Sequence, residues 1–302
     1  MKNNFSRRNF LKTAALSSTA VAIPGCVNAA SDKDSEHDNH SFKLNENPLK
    51  LGVMTYNIAK EWDIETVIKN LTEAEFQSVE LRTTHGHGIE VTMSAAERAE
   101  VKKRFEDSPL EAISLASAFK YHYTDPAELK KSIEGTKEYT LLARDVGAIG
   151  FRVFPNEFPP EVSEEQTMEQ IGKALAEVGE FAYNTGVEIR VCVHGKGTNR
   201  ISVIKKIIDY SQSPHVYVNW NCNDNDIEGE GLEHNFNLVK DRIRSLHTHE
   251  LWNPDYPYRQ LFRLLSENNF TGYCNAEISG NDDPVRLLKY YRGLFLALQD
   301  AL

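Results

Sequence analysis

The sequence is short of the features that mark nucleic-acid and membrane proteins. Of its 302 residues, 34 are Lys or Arg against 44 Asp or Glu, a formal net charge of −10. Lys2, Arg7, Arg8 and Lys12 fall in a stretch without acids over residues 1–25, so the remainder is more acidic still. Phosphate recognition needs clustered cations, and this balance argues against a nucleic-acid partner. After residue 26 no apolar run approaches the ~20 residues of a bilayer crossing. No Gly-x-Gly-x-x-Gly or Walker-type loop follows the first β-rich run, which removes the main ground for an open nucleotide-binding sheet. Cysteine is scarce, at four residues: Cys26, Cys192, Cys222 and Cys274. A Cys192–Cys222 disulfide is opposed by strand alternation, because an inward Asn221 turns Cys222 outward, away from an inward Cys192.

What is present suits one globular domain with a leader. Hydrophobic residues make up 40% and charged residues 26%, enough for a sizeable core. Ser6-Arg7-Arg8-Asn9-Phe10-Leu11-Lys12 reads as a twin-arginine export motif, followed by the weakly apolar Thr13–Ile23. Residues 1–30 are expected to be that signal peptide, which predicts export to the periplasm. Ile23-Pro24-Gly25-Cys26 resembles a lipoprotein processing site with Cys26 lipidated, the one route to a membrane here; cleavage after Ala29 is the alternative. Residues 31–49 are polar and read as a flexible linker.

From residue 50 to 302, short β-rich runs alternate with amphipathic segments. The runs begin near Leu51, Ser78, Ala112, Ile149, Val187, His215, Arg244 and Thr271, at spacings of 27 to 38 residues. Asp125-Pro126, Ser163 with Gln166, and Asp283-Pro284 signal helix starts, while Gly147 and Gly186 signal helix ends. Eight such units over some 250 residues predict an α/β fold, a single (β/α)8 TIM barrel. In that fold the chemistry sits where strands end. Polar residues gather there: Glu80-Leu-Arg82 through His85-Gly-His87, Arg152 through Asn156, Cys192-Val-His194-Gly-Lys196, Asn219-Trp-Asn221, His247-Thr-His249 and Asn275-Ala-Glu277. The stretches ahead of the strands are blander.

Gln77-Ser-Val-Glu80-Leu, Gly186-Val-Glu-Ile, Ser245-Leu-His247 and Phe270-Thr-Gly272-Tyr with Glu277 resemble the sugar phosphate isomerase/epimerase family, the xylose-isomerase-like barrels. The resemblance implies a divalent metal (Zn, Mn, Mg or Co) in the mouth, held by a Glu, an Asp, a His and a Glu from strands five to eight. It further implies proton transfer beside a carbonyl by the two glutamates. His247 and Glu277 match the last two positions; Cys192 and Asn221 stand where the first Glu and the Asp are expected. Three readings follow. A metal is held by His247, Glu277, His194 and Cys192 as thiolate, with Asn221 at the remaining family position, and the softer set favours zinc. Alternatively the metal is lost, and His194, His249 or Glu80 supplies acid–base chemistry beside Glu277. In the third reading the mouth binds sugar without turnover. His85, His87, Arg152, Asn156, Lys196 and His249 are candidate substrate contacts. The expected substrate is a small carbohydrate or keto-sugar, neutral or carboxylated. Isomerisation or epimerisation is expected, with β-elimination from a 3-keto-glycoside as the runner-up.

Overall fold

A computed structural model describes residues 45–302. The twin-arginine motif, Cys26 and residues 31–44 of the predicted linker lie outside the described residues. Eight parallel strands close into a barrel in chain order. They are β1 (Lys50–Met54), β2 (Ser78–Arg82), β3 (Ala112–Lys120), β4 (Gly150–Phe154), β5 (Glu188–Cys192), β6 (Val216–Trp220), β7 (Ile243–Thr248) and β8 (Tyr273–Ala276). Closure sets Leu51 of β1 opposite Cys274 of β8. Around them lie α1 (Ile64–Glu73), α2 (Ala95–Glu106), α3 (Pro126–Asp145), α4 (Glu164–Tyr183), α5 (Ile201–Ser211), α6 (Leu232–Val239), α7 (Tyr258–Glu267) and α8 (Pro284–Ala297). The predicted (β/α)8 barrel is the observed fold, and among the described residues no helix is long and apolar enough to cross a membrane.

The predicted helix signals act as expected. Asp125, Ser163 and Asp283 each accept a hydrogen bond from a first-turn amide, and Ser163 and Gln166 form a reciprocal capping box. The run that begins at Ala112 continues to Lys120, through a register shift against β4. Ser117 supports that shift: its hydroxyl donates to the Arg152 carbonyl at 3.1 Å and accepts from the Phe119 amide at 3.2 Å.

Alternation along each strand divides the core in two. Val79 and Leu81, Phe151 and Val153, and Ile189 and Val191 are at most 1% exposed and belong to the apolar layer between strands and helices. Each such side chain contributes roughly 1.5–3 kcal/mol by burial. Glu80, Arg152, Arg190, Cys192, Asn219, His247 and Asn275 stand in the other phase, and all are buried. The barrel interior is therefore polar. At its lower end Arg190 donates to Glu188 at 2.6 and 3.0 Å. Gly150 makes room for it, since a Cβ there would lie 2.5 Å from the guanidinium. Cys192, Cys222 and Cys274 are all free, as the alternation predicted for the first two.

Candidate functional site

His247, one residue before the end of β7, is the centre of a buried ion network at the upper end of the barrel. Its Nε2 lies 2.7 Å from Glu80 Oε1, and its Nδ1 lies 3.2 Å from Glu277 Oε2 and 3.1 Å from Asn221 Oδ1. Glu277 follows β8 directly and keeps its backbone in register by donating its amide N–H to Thr248 O at 2.9 Å. Burial alone would lower the His247 pKa, but Glu80 and Glu277 outweigh it and hold the ring well above its ordinary range. Burial would raise Glu277, yet His247 takes it down to about 2. For Glu80 burial is the largest influence, and His247 and Arg152 still bring it below its ordinary value. Arg152 Nε stands 3.6 Å from Glu80 Oε1, and Nη1 donates to Ser117 O at 2.8 Å. Two carboxylates and two cationic groups thus compensate one another, as buried charges require.

A cavity of about 170 Å³ opens above this network. Arg152, His194, Cys192, Asn221, His247 and Glu277 line it, so the structure brings six of the sequence-predicted residues together. Tyr56, Arg82 and Phe154 also line it and were not among the predicted contacts. Arg82 follows Glu80 by two positions, Phe154 follows Arg152 by two and Tyr56 follows Met54 by two, so period-two alternation marks all three. His194 packs its ring 4.8 Å from that of Phe154. Burial, then the charge of Arg152, lowers its pKa, so it is a neutral imidazole at neutral pH.

The other predicted residues do different work. Glu80 is fully buried and does not line the cavity, so it positions His247 and Arg152 and does not touch a ligand. His87 is also buried: Nε2 meets Arg82 O at 2.8 Å and Nδ1 accepts from the Ile89 amide at 3.1 Å, so both nitrogens brace the β2 loop. His85 lies against Tyr56 and off the cavity, with ring centroids 6.1 Å apart. Asn156 adopts φ +82° and bonds His122 Nε2 at 3.1 Å. Its carbonyl abuts Gly195, where any Cβ would collide with it at 1.3 Å. Lys196 is exposed on the same loop and stays off the cavity. His249 Nε2 meets the Asn221 carbonyl at 2.7 Å, tying the β6 and β7 ends together. Trp220 is wholly buried and gives its indole N–H to Tyr256 at 2.9 Å, a core role.

The family model described as a xylose isomerase-like TIM barrel matches residues 68–293. The chain belongs to that family. The resemblance read from the sequence is thereby borne out. No curated protein matches the chain. Solved barrels that resemble this xylose isomerase-like chain include D-psicose 3-epimerase with D-tagatose from Clostridium cellulolyticum H10, at 13% identity and TM-score 0.64, covering 84% of this chain and 96% of that one. The 3-keto-D-glucoside 4-epimerase of E. coli is similar at 14% identity and TM-score 0.67, covering 82% and 99%. The IolI protein, crystallised with a zinc atom, is similar at 14% identity and TM-score 0.64, covering 84% and 95%.

The donor set in this member of the family does not fit such an ion. Among the described residues no group of three or more His, Cys, Asp or Glu side chains is placed to hold a metal. Both ring nitrogens of His247 are engaged, the Cys192 thiol points at Asn219 Oδ1 (3.3 Å) and Asn221 Oδ1 (3.7 Å), and Arg152 brings a fixed cation to the same wall. Neutral Cys and Asn replace two anionic donors, and hard cations are held by ligand charge. The double variant Cys192→Glu/Asn221→Asp is expected to bind Mn2+ on the order of 100-fold more tightly than the parent by calorimetry. Equal affinity would refute the assignment of these two positions as ligand sites.

Proposed function

We propose that the protein is a sugar isomerase-like enzyme that moves a proton beside the carbonyl of a small carbohydrate. One observation carries this reading: an uncommitted imidazole and a buried guanidinium face the same small cavity at the strand ends. The His194 ring makes no hydrogen bond to the described residues and is neutral at neutral pH, the state a base needs. Glu277 at about 2 is a weak base and serves better as a fixed acceptor for substrate hydroxyls. Arg152 faces the cavity and is suited to stabilise the negative charge that develops on a carbonyl oxygen.

In the step, His194 takes the proton from the carbon next to the carbonyl, and the electron pair moves to the oxygen near Arg152, forming an enediolate. His194 then returns the proton to the former carbonyl carbon, while the hydroxyl proton on the adjacent carbon passes to the first oxygen and that hydroxyl becomes the new carbonyl, exchanging aldose for ketose. One base on one face suffices for this. Epimerisation across two faces needs a second base, and among the described residues Glu277 is the only carboxylate lining the cavity. That same fact favours a second reading, β-elimination from a 3-keto-glycoside, in which the enolate expels a leaving group from the next carbon. Export remains part of the proposal on the strength of Ser6–Lys12 and is tested by the mass of the mature N-terminal peptide.

In heavy water, NMR is expected to show deuterium entering the C–H beside the carbonyl of a keto-sugar substrate. His194→Ala is expected to slow that exchange by about 100-fold or more. A full-rate His194→Ala variant would end the assignment of the base. A panel of keto-sugars that binds without exchange would favour a sugar-binding barrel.

A further inference from the structure

Two guanidinium groups face the cavity, and the protein leaves part of each unused. Arg152 is 3% exposed; Nη1 bonds Ser117 O at 2.8 Å, Nε is buried beside Glu80 at 3.6 Å, and Nη2 makes no hydrogen bond to the described residues. Arg82 gives Nη1 to Thr83 O at 2.6 Å and Thr83 Oγ1 at 2.9 Å, and no other hydrogen bond to the described residues. The two are close enough to repel: burial and then the charge of Arg152 push Arg82 below its ordinary range. A guanidinium keeps its proton regardless, so the repulsion persists until an anion relieves it. Forked donors with free N–H groups are what oxyanions bind best.

We infer that the cavity takes a sugar bearing a carboxylate, held between Arg82 and Arg152. The inference rests on the sugar-binding part of the function proposed above. Charge matching selects the carboxylate over a phosphate ester. Glu80, 3.6 Å from Arg152, offsets one of the two cations and Glu90 offsets part of the other, so the pair has room for one negative charge at most. A phosphate monoester brings about −1.5 to −2 and would also face Glu277 on the same wall. A neutral sugar would displace water from both guanidiniums and give them no anionic partner. Asn221, His194 and Tyr56 supply hydrogen-bonding groups and a ring face for the rest of the sugar. The small volume, about 170 Å³, limits the ligand to one ring or its open chain.

Calorimetric titration of the purified protein with D-glucuronate and D-galacturonate, against D-glucose, D-galactose, glucose 6-phosphate and sodium sulfate, tests this. The uronates are expected to bind at least about tenfold more tightly than every other probe. Arg82→Gln is expected to bring uronate affinity down to that of the neutral sugar. Arg82→Lys keeps the charge and loses the fork, and is expected to fall between the two. Equal affinity for uronate and neutral sugar, preference for the phosphate ester or for sulfate, no binding of either sugar class, or a preference that survives in Arg82→Gln would each overturn the inference. Uronate binding without solvent deuterium exchange would remove the proposed reaction and leave the carboxylate site standing. Exchange into neutral keto-sugars that uronates fail to inhibit would do the reverse.

Discussion

Glu80→Gln is expected to cost about 3–5 kcal/mol of stability in urea unfolding at neutral pH, far more than a typical polar substitution. Glu80 is wholly buried and its charge is shared by His247 at 2.7 Å and Arg152 at 3.6 Å. Without it, His247 and Arg152 stay buried with Glu277 as the carboxylate left to the network. The neutral amide also leaves His247 with one carboxylate neighbour, so its titration, followed by NMR, is expected to move down toward the ordinary histidine range. A loss below about 1 kcal/mol would mean that solvent reaches this network. Glu80→Leu combined with Arg152→Met is expected to be closer to the parent than Glu80→Gln, since removing both partners leaves no buried charge alone.

Asp226→Asn is expected to be more stable than the parent by a few kcal/mol at about pH 8 and equal to it near pH 4. Asp226 sits in the turn Asp224–Ile227 after β6 and is fully buried. Its Oδ2 accepts from Tyr256 at 2.7 Å and from the Asn223 amide at 3.0 Å, while Oδ1 has no partner among the described residues. Burial lifts its pKa from 3.8 to about 7, with Tyr256 opposing. The folded chain therefore keeps a proton that the unfolded chain releases above about pH 4. The associated stability is complete below pH 3.8 and is lost as pH rises through about 7. An amide cannot ionise, so the variant lacks that slope. His247 adds a decline of its own, beginning above pH 6.5 and ending at its raised value, and the difference between variant and parent cancels it. Identical urea midpoints for the two proteins across pH 5–8 would show that Asp226 is already charged in the fold.

Much of this molecule is legible in the chain alone, because periodicity reports on what each face of a strand touches. The alternation around Val79 and Leu81 locates β2, and Asp125 and Ser163 locate the starts of α3 and α4. The same alternation put His247, Glu277, Cys192, Asn221, Arg152 and His194 on one rim, where they meet. Its reach ends at the loops. His87 and Asn156 have the chemistry of ligand contacts, yet loop backbone needs hydrogen-bond partners too, and these side chains supply them. Glu80 shows a further limit. Alternation says that it points inward but not how deep it lies, and depth decides whether it meets a ligand or a neighbouring histidine.

The lower end of the barrel carries a consequence for turnover. Arg190, pinned by Glu188 and pressed against Gly150, stoppers the interior from beneath. With the lower end filled, the mouth at the strand ends is the way in, so product departs by the path on which the next substrate arrives. Accumulated product will therefore compete for entry, and the exposed loop tips framing that doorway will set how quickly each cycle can begin.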